Sequence, residues 1–488
     1  MNQQERGGLG RRALALVGVA ALALIGTAGI GSAAFAADEL PAVPAPSISN
    51  ITGTMGSLTI HKHSGDPGAA GDGSVITDPA KITALGAGLV GVDFNVQRVA
   101  KSGVPIDLTT AAGWDAAQLV TPGNVMAAPY SFSSTTSVTT GAGGVVTVPD
   151  LPYGLYYVTE TDPGDNSVVS QVAPFLVSIP YPVASDSSWL YNVHVYPKNK
   201  LNTTVPTKTV SGPTAPVLGS TVTWTVTAPI QALGAGDTYR SFVISDLLDP
   251  RLELTGIVVK IDGDVIGVDP VTGYTPSGAG QTVIVTLNTD ARMDLVAGEN
   301  VTVEYTTKVV SLGDNGLIDN TGLVYVNDTT KETDHPRTNW GPLTITKKAA
   351  QEPNRTLQGA EFTLHETKGG PVVGTYTTNS SGQIVIDGLY VGSGTDVTQD
   401  YWLHETKAPA GYALPLGDAA WTMVTVDAAG ASDPTMLTIN NTQQNGPNLP
   451  LTGSSGTTMF MLGGLALLLA AGGMALVASS RRRQDTFK

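Results

Sequence analysis

Between residues 38 and 448 the hydrophobic positions recur at every second residue, and the three-and-four spacing of an amphipathic helix is almost absent. Ser220 to Thr227, Gln281 to Leu287 and Asn300 to Val309 are runs of this kind, rich in Val, Thr, Ile and Tyr. Gly, Pro, Asn and Asp punctuate them, as turns between short strands require. The pattern predicts an all-β protein built from tandem sandwiches. One boundary falls where a strand ends in Tyr196-Pro197-Lys198-Asn199-Lys200, and a second falls near Arg337 to Pro342, before a new strand at Leu343 to Thr346. Three domains follow, at residues 38–200, 201–341 and 342–445, each long enough to bury its own core.

Both ends of the chain break the alternation. Arg6, Arg11 and Arg12 precede an apolar stretch from Ala13 to about Ile30 and then Ala34-Phe35-Ala36, the three parts of a secretory signal peptide over residues 1–37. At the other end, residues 459–478 are apolar and long enough to span a bilayer core, and Arg481, Arg482 and Arg483 mark the cytoplasmic side.

Composition narrows the chemistry. The 488 residues contain no cysteine, which excludes disulfides, thiol catalysis and thiolate metal sites. A net charge of -15, with only 26 Lys plus Arg, argues against a nucleic-acid partner, because phosphate-tracking surfaces need clustered cations. Six scattered histidines show no metal-ligand spacing, so neither a metal nor a cofactor is expected.

Pleat parity singles out two polar residues near the C-terminus of the third domain. Tyr401, Leu403 and Glu405 share one strand face, so burying the apolar face buries the carboxyl as well. Leu437, Ile439 and Asn441 share the inward face of the last strand, which points Asn441 rather than Asn440 at the core. An isolated buried carboxylate tends to be protonated and a buried lysine neutral.

Several segments carry a family resemblance. Leu449-Pro450-Leu451-Thr452-Gly453, the apolar span and the basic tail, over residues 449–488, resemble the cell-wall sorting signal of Gram-positive surface proteins. That resemblance implies sortase cleavage between Thr452 and Gly453, with the threonine carbonyl held as a thioester until an amine resolves it. Tyr401 to Tyr412 matches the E-box, YxLxETxAPxGY, of CnaB-type reverse-immunoglobulin domains at every specified position. The resemblance implies that neutral Lys347 attacks the side-chain carbonyl of Asn441 while Glu405 shuttles protons, so that ammonia leaves and an isopeptide bond forms. Lys348 falls on the opposite face. In the middle domain Lys208, Asp246 and the stretch from Asp319 to Asn327 resemble the CnaA-like Lys, Asp, Asn triad of fimbrial shaft subunits. Asn320 is the implied acceptor there, with Asn327 competing. Lys62 and Glu160 echo the same theme in the first domain. However, the AP and GY positions of the box are missing and Asn192 has no clear register to Lys62, so no isopeptide bond is expected there.

Trp189, Val193, Val195, Tyr196, Pro197, Lys198 and Asn199 match the pilin motif WxxxVxVYPKN of sortase-assembled shaft pilins. Pro197 is expected to stop ladder pairing and leave Lys198 at an exposed strand end. The whole chain is thus similar to the major shaft subunits of actinomycete and corynebacterial fimbriae. The resemblance implies three tandem immunoglobulin-like sandwiches on the Gram-positive cell surface, supporting adhesion and biofilm formation. The implied partners are a class C pilus sortase, a housekeeping sortase with peptidoglycan, a tip pilin and further copies of the chain, Lys198 being joined to Thr452 of the next copy. Host or bacterial surface glycans and proteins are further candidate partners. Actinomycete relatives often carry a disulfide in the C-terminal domain, which this chain cannot form. A monomeric wall-anchored adhesin or a minor base or tip pilin are the alternatives. A glycosidase-like surface enzyme would need converging carboxylates, and no such pair stands out. Its only catalysis would be the single-turnover formation of its own isopeptide bonds.

Overall fold

The computed structural model describes residues 48–68, 70–183, 188–444, 446 and 454–484. The leader region and the Leu449 to Gly453 motif lie outside the described residues.

The first set of sheets contains β1 (Met55–His61), helices α1 (Pro79–Ala84) and α2 (Ala111–Ala117), β2 (Asp93–Lys101), β3 (Gly154–Asp162), β4 (Asn192–Val195) and β5 (Lys198–Leu201). One sheet pairs β1 with β4 in parallel, Leu58 opposite Val193 and Ile60 opposite Val195. The facing sheet carries β2 and β3, and Leu58, Ile60, Phe94, Val96, Tyr156, Val158 and Val193 fill the space between them. Alternation accounts for this arrangement, because each strand contributes every second side chain to the core.

The middle sandwich has β6 (Thr207–Val210), β7 (Thr221–Pro229), β8 (Phe242–Leu247), β9 (Asn300–Val309) and β10 (Leu317–Asp319). β6, β7 and β9 lie side by side in one sheet, and β8 lies in the other. Val301, Val303, Tyr305 and Val309 of β9 are fully buried, each burial stabilising by about 1.5–3 kcal/mol. At one tip Asp262 and Gly263 both have positive φ, 48° and 88°, the backbone that a two-residue hairpin between Leu252–Ile261 and Asp264–Ile266 requires.

The third set comprises β11 (Arg337–Ala349), β12 (Glu361–His365), β13 (Gln383–Ser393), β14 (Thr398–Lys407) and β15 (Thr435–Asn441). β11 pairs antiparallel with β13 and parallel with β15, Leu343 opposite Thr435 through Ala349 opposite Asn441. β11 does not begin at Leu343: it runs unbroken from Arg337 and also pairs with β10 of the middle sandwich. Gly341 and Pro342 do not end the strand, because the register slips between Gly341 and Leu343. A side chain at Gly341 would meet the Asp427 carbonyl oxygen at 1.9 Å, so the crossing needs glycine. Trp340, on the same strand, is buried in the middle core.

The first and middle sandwiches meet where Val169 joins the middle core and the Gly234 N–H donates to the Ser170 hydroxyl (2.9 Å). Asn327 also donates to the Val169 carbonyl (3.0 Å), and just past the boundary Asn202 donates to the Thr329 hydroxyl (2.8 Å). Near the C-terminus stands α3 (Ser454–Gln484), whose apolar stretch Thr458–Ser479 is 22 residues long. At 1.5 Å per residue that is about 33 Å, enough to cross a bilayer core.

Candidate functional site: buried lysine, carboxyl and asparagine sets and the pilin motif

Parallel pairing of β11 with β15 puts Lys347 and Asn441 on neighbouring inward faces, and β14 brings Glu405 across the sandwich. Lys347 Nζ donates to Asn441 Oδ1 at 2.6 Å and to Glu405 Oε2 at 2.7 Å, while Asn441 Nδ2 donates to Glu405 Oε1 at 2.6 Å. The carboxyl therefore holds both amine and amide, with the amide nitrogen turned toward the group that can protonate it. Lys347 is 0 % exposed and its ammonium lies over the Phe362 ring at 5.3 Å. Burial lowers its pKa, against the raising effect of Glu405. Removing water in this way favours the free amine of Lys347, the form that can attack a carbonyl. Asn440 and Lys348, the adjacent residues, face away.

In the middle sandwich Lys208 of β6 donates to Asp246 Oδ2 of β8 at 2.5 Å, and both side chains are fully buried. Burial lowers the Lys208 pKa and raises that of Asp246, whose neighbours Lys208 and Asn320 pull it back down. Asn320, just beyond β10, is 2 % exposed, and neither of its amide atoms meets a hydrogen-bond partner. Asn327 is elsewhere: it has φ 51° and its amide is spent on Val169, Arg240 and Ser241 at the junction with the first sandwich. Of the two acceptors left open by the sequence, Asn320 is the one beside Asp246.

The first sandwich departs from expectation. Lys62, immediately after β1, donates to Asn199 Oδ1 and pairs with Glu160 Oε2 at 2.8 Å. Asn199 Nδ2 donates to Glu160 Oε1 at 2.6 Å, the same connectivity as in the third sandwich. Burial lowers the Lys62 pKa to about 8, Glu160 opposing. Asn192 takes no part: it is exposed and accepts from Ser57. The partner missed in the sequence is Asn199, which the pilin motif had already claimed.

That motif is distributed over three strands, Trp189 on Ser188–Leu190, Val193 and Val195 on β4, and Lys198 and Asn199 on β5. Val193 is buried in the core, Trp189 packs against Trp114 of α2 at 5.3 Å, and Tyr196 stacks on His61 at 4.5 Å. Pro197 does not stop the ladder. It lacks an N–H, but its carbonyl accepts from His63 (3.0 Å), and pairing resumes with Lys198 opposite His63 and Asn199 opposite Ser64. Lys198 is correspondingly half-buried rather than at a free strand end, and its ammonium donates to the Ala84 carbonyl at the end of α1 (3.2 Å).

Among the described residues no group of three or more His, Cys, Asp or Glu is placed to hold a metal. The cleft between the middle and third sandwiches, about 280 Å³, is lined by Leu218, Val310, Pro342 and Val385 with Asp387 as its carboxylate, so it offers no acid–base pair.

Tandem sandwiches with buried Lys, carboxyl and Asn sets, a pilin motif and an apolar C-terminal helix define a covalently assembled surface fimbria subunit. The chain matches the N-terminal D1 domain of Gram-positive pilin subunits over residues 53–200, a prealbumin-like fold domain over 341–443 and the LPXTG cell wall anchor motif over 441–486. It is 34% identical to the fimbrial subunit type 2 of Actinomyces naeslundii, over 89% of this chain and 91% of that one. With the fimbrial subunit type 1 of Actinomyces viscosus it shares 28% identity, over 77% and 83% of the two chains. Its fold is that of the full-length major pilin SpaD from Corynebacterium diphtheriae, at a TM-score of 0.56 and 26% identity over 80% of this chain and 98% of that one. The protein belongs to the sortase-assembled major pilins of Gram-positive bacteria: it is a pilus shaft subunit, anchored to the cell wall at the surface.

Proposed function

We propose that the shaft is built by joining the Lys198 ε-amine to the Thr452 carbonyl of the next copy, and that each subunit locks itself with intramolecular isopeptide bonds. A class C sortase would hold Thr452 as a thioester after cutting before Gly453, and Lys198 would resolve it; a housekeeping sortase would pass the finished fibre to peptidoglycan, behind a tip pilin. One donor end and one acceptor end per subunit give a head-to-tail contact that propagates without closing.

Inside the subunit the proposed bonds are Lys347–Asn441 with Glu405 as proton shuttle, Lys208–Asn320 with Asp246, and Lys62–Asn199 with Glu160. In each, the neutral amine adds to the amide carbon, the carboxyl relays a proton to the amide nitrogen, and ammonia leaves. The observation that carries this reading is the closed contact set of Lys347, Glu405 and Asn441, all buried in the core. No other enzymatic activity is proposed for the chain, and adhesion to surface glycans or proteins would be a property of the assembled fibre.

Two measurements test it. Lys198→Ala should abolish the high-molecular-weight ladder in wall extracts and leave monomer; a persisting ladder rules out this linkage. The intact mass should fall short of the sequence mass by one ammonia per internal bond, three in all, and an unshifted mass rejects every one.

A further inference from the structure

We propose that Tyr305 is a fourth member of the middle-domain site, its hydroxyl donating a hydrogen bond to the Asn320 side-chain oxygen as Lys208 adds to the amide carbon. The inference rests on the isopeptide reading of that domain and concerns how the reaction is assisted there.

The three buried sets differ in one respect. In the first and third sandwiches a glutamate reaches both lysine and asparagine, one oxygen to each. Asp246 is one methylene shorter, and only its Oδ2 is engaged, by Lys208. Among the described residues, Asp246 Oδ1, both amide atoms of Asn320 and the Tyr305 hydroxyl are all buried without a hydrogen-bond partner. Such atoms are rare in folded cores, and four around one reaction centre call for a common explanation.

Tyr305 belongs to this centre by position. It lies on β9 directly across from Trp224, and the two rings flank the Lys208 ammonium, with centroids at 6.0 and 5.8 Å. It is 0 % exposed, and phenylalanine would fill the same space without burying a polar atom. Three other buried tyrosines find backbone acceptors, Tyr156 on Pro152 (2.6 Å), Tyr401 on Tyr390 (2.6 Å) and Tyr153 on Thr52 (2.7 Å), whereas the Tyr412 hydroxyl, like that of Tyr305, meets none. Burial, reinforced by the Asp246 charge, raises the Tyr305 pKa well above the usual range. The group is therefore a donor at any working pH and not a base.

The step balances without it changing its protonation. A bond forms between Lys208 Nζ and Asn320 Cγ, and the Cγ–Nδ2 bond breaks. Asp246 relays a proton from the amine to Nδ2, which departs as ammonia, and Tyr305 keeps its own proton while stabilising the transient negative oxygen. Removing one donor of this kind typically slows acyl transfer by ~10²–10³.

The test follows the Lys208–Asn320 cross-linked peptide by mass in newly synthesised full-length chain, wild type against Tyr305→Phe. The expected result is cross-linking slowed ~10²–10³ in the middle domain, with the Lys347–Asn441 bond forming at its normal rate in the same molecules. Cross-linking at the wild-type rate overturns the proposal. Melting of Asp246→Ala with and without Tyr305→Phe separates chemistry from packing, since neither chain can form the bond. Equal melting supports the proposal, and a lowered transition overturns it in favour of a packing role. A wild-type chain with no Lys208–Asn320 peptide would instead refute the isopeptide reading of the domain.

Discussion

Glu405→Gln removes the proposed proton shuttle of the third sandwich at nearly constant volume. Lys347 and Asn441, 94 residues apart, would then stay unjoined. The chain-entropy relation used for disulfides assigns a closed ring of that size about 4.7 kcal/mol of stabilisation. The unjoined Lys347 amine is also left without a carboxylate in a site where its side chain is 0 % exposed, and an uncompensated buried charge typically costs ~3–5 kcal/mol. Its amine can escape part of that cost by staying neutral, which burial already favours. The sum is a loss of at least about 5 kcal/mol. For a domain of this size one kcal/mol moves the midpoint by ~4–8 °C, so the transition should fall by ~20–40 °C. A triple replacement, Lys347→Met with Glu405→Leu and Asn441→Leu, removes both charges and the bond together. It isolates the ring contribution, since apolar residues replace buried ion pairs at little cost. Intact mass and calorimetry on the same samples decide the matter. The reasoning is refuted if Glu405→Gln still loses ammonia, or if it lacks the bond yet melts within about 5 °C of wild type.

The remaining expectations concern the other two sandwiches. Asn320→Ala should leave the protein one ammonia heavier than a fully bonded chain, after allowing for the replaced side chain, whereas Asn327→Ala should keep the middle bond and only loosen the junction at Val169; peptide mapping distinguishes them. Asn199→Ala should leave Lys62 as a buried amine with pKa about 8 against 10.5 when exposed. Between those values the unfolded chain binds the extra proton, so stability should rise with pH across that window, by about 3 kcal/mol. Urea melts of Asn199→Ala with and without Lys62→Met check this, and equal slopes in the two would contradict it. Wild type should lack the dependence, because its Lys62 is an amide.

What was legible in the sequence, and what was not, follows from how far the pleat could be traced. In the third sandwich both strands bearing the reactive groups alternate cleanly, so Tyr401, Leu403 and Glu405, and Leu437, Ile439 and Asn441, could be assigned faces without coordinates. The middle acceptor was ambiguous because Asn320 follows a strand of only three residues, Leu317–Asp319, too short to carry a period. In the structure Asn327 lies against Val169 and Asn320 near Asp246, a difference in placement that the sequence pattern does not carry. Gly341 and Pro342 look like a break in the sequence, which places the start of β11 at Leu343; the strand instead absorbs them as a slip in register, with Asp427 filling the space a side chain would need.

Asn199, the neighbour of Lys62 in the first sandwich, is the more instructive case, because its signal is present in the sequence. Val193, Val195, Pro197 and Asn199 are spaced by two, and continuing the alternation through the proline sends Asn199 inward and Lys198 to the opposite face. Pro197 looks like a terminator but is not one: proline removes one donor, while its carbonyl still pairs and the ladder resumes. On the proposed chemistry, the consequence is mechanical. A pull on Lys198 from the next subunit is handed across one peptide unit to Asn199, and from there through Glu160's former partner Lys62 to the parallel first strand. The load would enter the sandwich at a covalent cross-link and not at a hydrogen-bonded edge that could peel.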